Sequence, residues 1–197
     1  MIHLSDADNF KLLKTGQTTQ YGGYLDDGFY EMGAAKEYTI HTLFQYAGTT
    51  NITLNGKTDL HSNNCVYDQR TKLMWSRYVS GSVGPGSDGK LPWTTNGNGE
   101  GIFAFVAAAN LAKLAGYSDW RIPNDLELAS LRVMEKPTAA PDTIAFPNWP
   151  IHPSLPIWCS NTVPDTLTYG VRVTFSTGAL SYSAKTTDYY CPLVRGG

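Results

Sequence analysis

Charge is scarce in this chain of 197 residues. Asp, Glu, Lys and Arg together make up 16% of it, against about a quarter in ordinary soluble domains. The net charge is −2 and no run of Lys or Arg occurs. The electrostatic footprint of a nucleic-acid or anionic-membrane binder is therefore missing, and no nucleic acid is expected as a partner. No apolar stretch approaches the roughly 20 residues that span a bilayer, so no membrane insertion is expected. The opening residues 1–8 lack the basic start and apolar run of a signal peptide. A role outside the cell would then be reached by another route, most simply release within a virion on lysis.

Cysteine and catalytic motifs are also sparse. Three Cys are too few for a disulfide-dense secreted scaffold. One bridge between Cys159 and Cys191, or buried thiols acting as small core residues, are both open readings. The four histidines, His3, His41, His61 and His152, stand apart from one another with no partner at metal-ligand spacing, and read as surface or turn residues. No phosphate loop, nucleophile elbow or His-Glu-x-x-His pattern occurs. The expectation is a protein with no catalytic residues, no metal and no cofactor.

What the chain has in quantity is Gly, Ser, Thr, Asn and Tyr, a mixture that favours short strands and turns over long solvated helices. Its length can bury one real core, so one domain with an N-terminal extension is the natural organisation. Residues 1–63 are polar and punctuated by glycines at 22, 23, 28, 33 and 48. Residues 37–43 alternate, and residues 51–57 end in the Asn-Gly signal of a two-residue hairpin. This β-rich extension, with little core of its own, is expected to pack on the main domain or serve oligomer contacts. Residues 64–197 form the main domain. It opens with a hairpin over 65–75 that turns through Asp68-Gln69-Arg70-Thr71. A long Gly/Pro-rich loop over 80–101 comes next, anchored by Trp93.

The sequence Ala115-Gly116-Tyr117-Ser118-Asp119-Trp120-Arg121-Ile122-Pro123-Asn124 holds two helices apart. Ile102, Phe105, Val106, Ala109 and Ala112 recur at helical spacing, and Gly116 suits the left-handed residue that closes that helix. Asn124 stands three residues before Glu127, the spacing of an N-cap with a capping box, and Asp125 suits the positive helix end. Between them, Asp119-Trp120-Arg121 reads as an internal clamp, with Trp120 plugging a core edge and Arg121 bonding a carbonyl or carboxylate.

The C-terminal third carries the candidate site. Prolines at 137, 141, 147, 150, 153 and 156 make an irregular crossing pinned by Phe146 and Trp149. A strand then opens at Trp158-Cys159-Ser160. Residues 171–175 alternate, which puts Val171, Val173 and Phe175 inward and Arg172 and Thr174 outward. After a turn at Ser176-Thr177-Gly178, residues 179–184 alternate again, with Leu180 and Tyr182 opposite in face to Ser181 and Ser183. Residues 190–195 read as one closing strand. The outward set is Arg172, Thr174, Ser181 and Ser183, joined by Thr162, Asp165, Thr166, Thr168, Thr177, Thr187 and Tyr189. Such side chains on a rigid platform suit ligand binding; a merely solvated sheet face would read alike.

The order Val66-Tyr67-Asp68, Leu73-Met74-Trp75, then Gly116-Tyr117-Ser118-Asp119-Trp120-Arg121-Ile122-Pro123-Asn124, Phe146-Pro147, Trp158-Cys159-Ser160 and Leu193-Val194-Arg195 resembles the Lcl C-terminal domain family, over about residues 64–197. In that resemblance Trp75, Asp119, Trp120, Arg121, Pro123, Asn124 and Trp158 are frame residues. It implies an α+β fold of C-type-lectin-like form, two helices packed on short antiparallel sheets. Members occur in adhesins, in phage tail proteins and among variable proteins of diversity-generating retroelements. The implied function is receptor or ligand binding through a C-terminal face that such elements diversify, on a virion or cell surface. The implied partner is a host-surface glycan or protein receptor, and a homo-oligomer such as a trimer is expected. A structural virion module and a relative of the formylglycine-generating oxidases, using Cys159 and Cys191, are the alternatives. Two residues depart from the family pattern. Lys72 takes a turn position where glycine is usual, and Pro192 sits where a terminal-strand Arg is common.

Overall fold

The computed structural model describes residues 38–41 (backbone only), 48–80, 88–94, 96–97, 99–132, 141–147, 149 and 156–196. These residues form an α+β structure with two α-helices and three small sheets. Residues 1–37, with His3 and most of the punctuating glycines, lie outside them. So do part of the 80–101 loop and much of the proline crossing, His152 included.

The N-terminal hairpin pairs β2 (Thr49–Leu54) with β3 (Lys57–Ser62). Its turn is Asn55-Gly56, at φ 50° and 74°, the pair of positive values that makes a two-residue turn match the strands' twist. Ile52 and Leu54 point from β2 into the same core as Ile102, Phe105, Ala109, Leu114 and Trp120. Upstream, β1 (Tyr38–His41) adds to the edge of β4 (Cys65–Asp68). Residues 52 and 54 thus share one core with residues 102–120, and β1 shares a sheet with β4.

The second sheet runs in the order β1, β4, β5 (Leu73–Ser76), β11 (Val194–Gly196). Its β4–β5 turn forms as the sequence implies: Asp68 Oδ1 accepts the amides of Arg70 at 2.9 Å and Thr71 at 3.3 Å. Lys72 sits at φ 61°, a left-handed conformation that glycine adopts without steric cost. That is the physical reason glycine suits this position.

The third sheet has the order β6 (Lys90–Pro92), β10 (Asp188–Tyr190), β7 (Ile157–Thr162), β8 (Tyr169–Thr174), β9 (Ala179–Ala184). It corrects three expectations. The 80–101 loop is not wholly irregular, because β6 pairs with β10. Residues 190–195 are not one strand: Cys191, Pro192 and Leu193 carry the chain from β10 in this sheet to β11 in the other. The sheets are not all antiparallel, since β10 and β7 run parallel.

Helix α1 (Ile102–Leu111) lies against β2. It stops earlier than the apolar spacing implies. Lys113 takes φ 53° and Ala115 φ 52° around a single 3-10 turn, Leu114–Gly116. Gly116 is left-handed too, at φ 84°, but two non-glycine residues have already turned the chain. Helix α2 (Asp125–Ser130) starts as its capping residues dictate: Asn124 accepts from the Glu127 amide at 2.8 Å, and Glu127 accepts from the Asn124 amide at 2.8 Å.

The clamp between the helices is architectural. Trp120 is 2% exposed and donates from Nε1 to Leu114 O at 2.9 Å, while the Asn110 side chain brackets its backbone N–H and C=O. Arg121 grips Glu127 through both terminal guanidinium nitrogens, at 2.8 and 2.7 Å, and reaches Gly196 O at 3.0 Å. Burial acts to raise the Glu127 carboxyl, but the Arg121 guanidinium and the Asn124 amide outweigh it and hold it below the usual range. Asp119 is bound by Arg195 at 2.7 and 3.0 Å, and that bond likewise depresses its carboxyl. Pro123 is buried, and its carbonyl accepts the Ser160 amide at 2.9 Å.

Two apolar clusters form the interior. One gathers around Trp120, Phe105 and Trp158; the other holds Trp75, Phe146, Trp149, Ile157, Val173 and Phe175. Phe146 and Trp149 pin their segment as expected, with ring centroids 4.8 Å apart. All three cysteines are reduced and buried. Burial pushes the Cys65 thiol up to about 12, and raises Cys159 and Cys191 as well.

Candidate functional site

The third sheet has two different faces, and alternation decides which residue goes where. Ile157, Cys159, Val173 and Phe175 point into the second core cluster. The register pairs Trp158 with Arg172, Arg172 with Ser181 and Gly170 with Ser183, so these residues share the opposite face. Val173 and Phe175 are buried and Val171 half-buried, as the sequence pattern requires.

The return strand corrects the sequence reading. Leu180 and Tyr182 do lie opposite Ser181 and Ser183, but they are 46% and 63% exposed. β9 is the edge strand and the core stops beneath β8, so its apolar face is covered only in part, with the Tyr182 ring meeting Tyr169 edge-on at 5.9 Å. The serines, on the supposedly open face, are the half-buried ones.

At the centre of that face lies Arg172. Its Nε donates to Ser183 Oγ at 2.8 Å and its Nη1 to Thr174 Oγ1 at 2.9 Å. The guanidinium carbon stands 5.4 Å from the centroid of Tyr189, whose hydroxyl lies 3.1 Å from Ser183 Oγ. Tyr189 in turn rests on the buried Trp158 ring at 4.9 Å, and Trp158 donates to Leu91 O at 2.9 Å. Among the described residues no carboxylate pairs with Arg172, and its Nη2 has no hydrogen-bond partner. A half-buried cation fixed by neutral hydroxyls keeps its charge and one face of its donors for something else.

A second cation stands at the loop end of the face. Lys185 Nζ lies 3.8 Å from the Trp93 ring centroid and donates to Thr162 Oγ1 at 2.9 Å. Trp93 is held by Cys159 O at 2.9 Å and by Phe103 edge-on at 4.7 Å. Gly170 makes this stacking feasible. A Cβ there would lie 2.9 Å from Trp93 Cδ1 and 3.1 Å from Trp158 Cζ3, so only glycine lets both rings cross the strand.

Three loops converge beside Lys185. Its amide donates to Thr168 O at 2.9 Å, and its carbonyl accepts the amides of Trp93 and Thr94. Thr166 and Asp165 are exposed on the β7–β8 turn, and Thr187 is half-buried on the β9–β10 turn. Thr177 lies at the far end of the sheet, in the β8–β9 turn, where Gly178 takes φ 66°. Of the sequence-derived set, Arg172, Thr174, Ser183 and Tyr189 form one bonded cluster, with Ser181 beside it. Thr162, Asp165, Thr166, Thr168 and Thr187 mark the loop end. Thr177 stands apart. Lys185, Trp93 and Phe103 were not in the set, because only the fold brings them over β8.

His61 corrects another expectation. It is not a surface or turn residue but is buried at 2% exposure, with Nδ1 3.2 Å from Asp59 Oδ2.

Comparison with curated proteins gave no match. Residues 64–195, more than half of the chain, match the Lcl C-terminal domain, and their hairpin turn, helix clamp and terminal strand are the ones described above. The chain belongs to the Lcl C-terminal domain family.

Proposed function

We propose that this protein is a ligand-binding module whose recognition face is the outer side of the third sheet, with Arg172 at its centre. The observation that carries this reading is the Arg172 guanidinium, held by Ser183, Thr174 and Tyr189 with no acidic partner among the described residues. Hydroxyls and a rigid aromatic ring around a positioned cation give a surface that adapts its hydrogen bonds at little entropic cost. The partner in this reading is a host-surface glycan or a protein receptor. The setting is a phage tail protein or surface adhesin with a lectin-like frame, its outer positions open to diversification. Exposed Thr166, Thr168 and Thr177 on turns, with the frame fixed by Trp75, Trp120 and Trp158, suit that division of labour. The same reading treats the protein as a binder, with Cys159 and Cys191 as core residues whose thiols burial raises.

The test is a combined substitution of Arg172, Thr174, Thr177, Ser181, Ser183 and Tyr189. Glycan and protein arrays, and adsorption to candidate host cells, should lose the wild-type signal. Binding retained by a folded variant overturns this assignment of the face.

One observation favours a second role. Leu180 and Tyr182 are exposed on an edge strand, which suits contact between copies in a homo-oligomer, a trimer included. Light scattering on Leu180→Ser with Tyr182→Ser should then show a smaller assembly than the wild type.

A further inference from the structure

Strand β9 ends its sheet, with β8 on one side and no strand on the other among the described residues. An edge strand leaves a row of backbone donors and acceptors open to another chain, and proteins blunt such edges with charge, proline or a bulge. β9 carries none of these. Its sequence is Ala-Leu-Ser-Tyr-Ser-Ala, and its register with β8 runs without a shift from Ala184 opposite Tyr169 to Ala179 opposite Thr174. Leu180 and Tyr182, on its inner side, are 46% and 63% exposed.

The alternation of an antiparallel ladder identifies the open backbone groups. Lys185 donates its amide to Thr168 O at 2.9 Å. The bonded pairs that follow along the register are Ser183 with Gly170, Ser181 with Arg172 and Ala179 with Thr174. The amides and carbonyls of Leu180 and Tyr182 therefore point away from β8. A second copy of β9, laid antiparallel and centred on Ser181, sets Leu180 opposite Tyr182 of the copy and Tyr182 opposite its Leu180. These are the residues whose backbone groups point outward, so each pair exchanges both of its bonds. Each pair also puts an aliphatic side chain against an aromatic one. Charge fits as well. No residue of the strand is charged, and Lys185, just beyond it, falls opposite Thr177 of the copy, so no like charges meet. A strand whose backbone groups, apolar side chains and charge all match its own reverse meets the requirement of an isologous two-fold contact.

We propose that β9 pairs with β9 of a second copy about a two-fold axis at Ser181, which joins the two outer sheets into one. The proposal rests on the second role given to Leu180 and Tyr182 and supplies its geometry. A two-fold axis through the sheet keeps both recognition faces on the same side. It sets the Cα atoms of the two Arg172 residues about 15 Å apart, the sum of the strand-to-strand steps between them. Two sites at that spacing engage a repeating ligand together and raise avidity without any new contact.

The test combines mass and linkage on the full chain, without ligand. Light scattering should give the mass of a dimer, and Leu180→Lys with Tyr182→Lys should halve it while the melting temperature holds. Ser181→Cys tests the register. A non-bonded antiparallel pair holds its Cα atoms about 4.5 Å apart, within the range of a disulfide, and the native thiols are buried. Mild oxidation should therefore link the Ser181→Cys protein into a reducible dimer. Ser183→Cys, whose counterpart lies toward the far end of the copy's strand, should stay unlinked. A monomeric wild type, a dimer that survives both lysines in a folded variant, or no linkage through Ser181→Cys overturns the proposal. A trimer that the lysines break apart also overturns the two-fold pairing, while leaving contact between copies through Leu180 and Tyr182 in place.

Discussion

Gly170→Ala probes the packing on which the recognition face rests. The added methyl would stand 2.9 Å from Trp93 Cδ1, 3.1 Å from Trp93 Nε1 and 3.1 Å from Trp158 Cζ3. Trp158 is fully buried and tied to Leu91 O, so it has nowhere to go. Trp93 is half-buried and must move instead, stretching its 2.9 Å bond to Cys159 O and lifting away from Phe103 and Lys185. Overpacking of this kind costs about 1–3 kcal/mol, and the strained hydrogen bond adds about 1 kcal/mol. For a chain of this length the sum lowers the melting temperature by roughly 4–16 °C. Thermal melts measure the loss, and near-ultraviolet circular dichroism reports the displaced indole. In a Trp93→Ala background the same substitution should cost much less, because the two changes share one contact. An unchanged melt in the wild-type background, or equal costs in both, would refute the stacking argument.

Single residues elsewhere make further tests. Lys72→Gly should raise stability by about 0.5–1 kcal/mol, since relief of a left-handed non-glycine exceeds the entropy glycine adds to the unfolded chain; denaturant melts check it. Trp120→Ala should cost about 3–5 kcal/mol, and a melt left intact would mean that the indole is not buried against Leu114. The Glu127 carboxyl is held below its ordinary value in the fold, so its contribution is complete above the usual carboxylate range and is lost as pH falls through the lowered value. Melting temperature should therefore fall on acidification, and Glu127→Gln should make that fall shallower.

Local rules made much of the frame legible. The Asn-Gly turn at Asn55, the capping box at Asn124, the Asp68 turn and the burial of Trp120 each depend on a few neighbouring residues, and each formed as the sequence implied. What escaped depended on the fold as a whole. Helix α1 ended early because Lys113 and Ala115 accept left-handed conformations that no propensity predicts. Alternation assigned the faces of β9 correctly but not their burial, because burial depends on where the core stops, and it stops one strand short. Lys185 and Trp93 join the site from segments almost a hundred residues apart, and only a register brings them together. The burial of His61, read as a surface or turn residue, escaped because only the fold brings the rings of Phe105 and Tyr78 against it.

The central claim is that Arg172 is held ready for a ligand. Its most direct measurement is the affinity of wild type and Arg172→Met for the glycan or protein selected on arrays, with both proteins checked by thermal melting. Loss of a hydrogen bond to a charged group is worth about 1.5–3 kcal/mol, so the account predicts a dissociation constant weaker by roughly tenfold to a hundredfold, with the fold intact. An unchanged affinity in a folded Arg172→Met protein would contradict it and move the site off this face of the sheet.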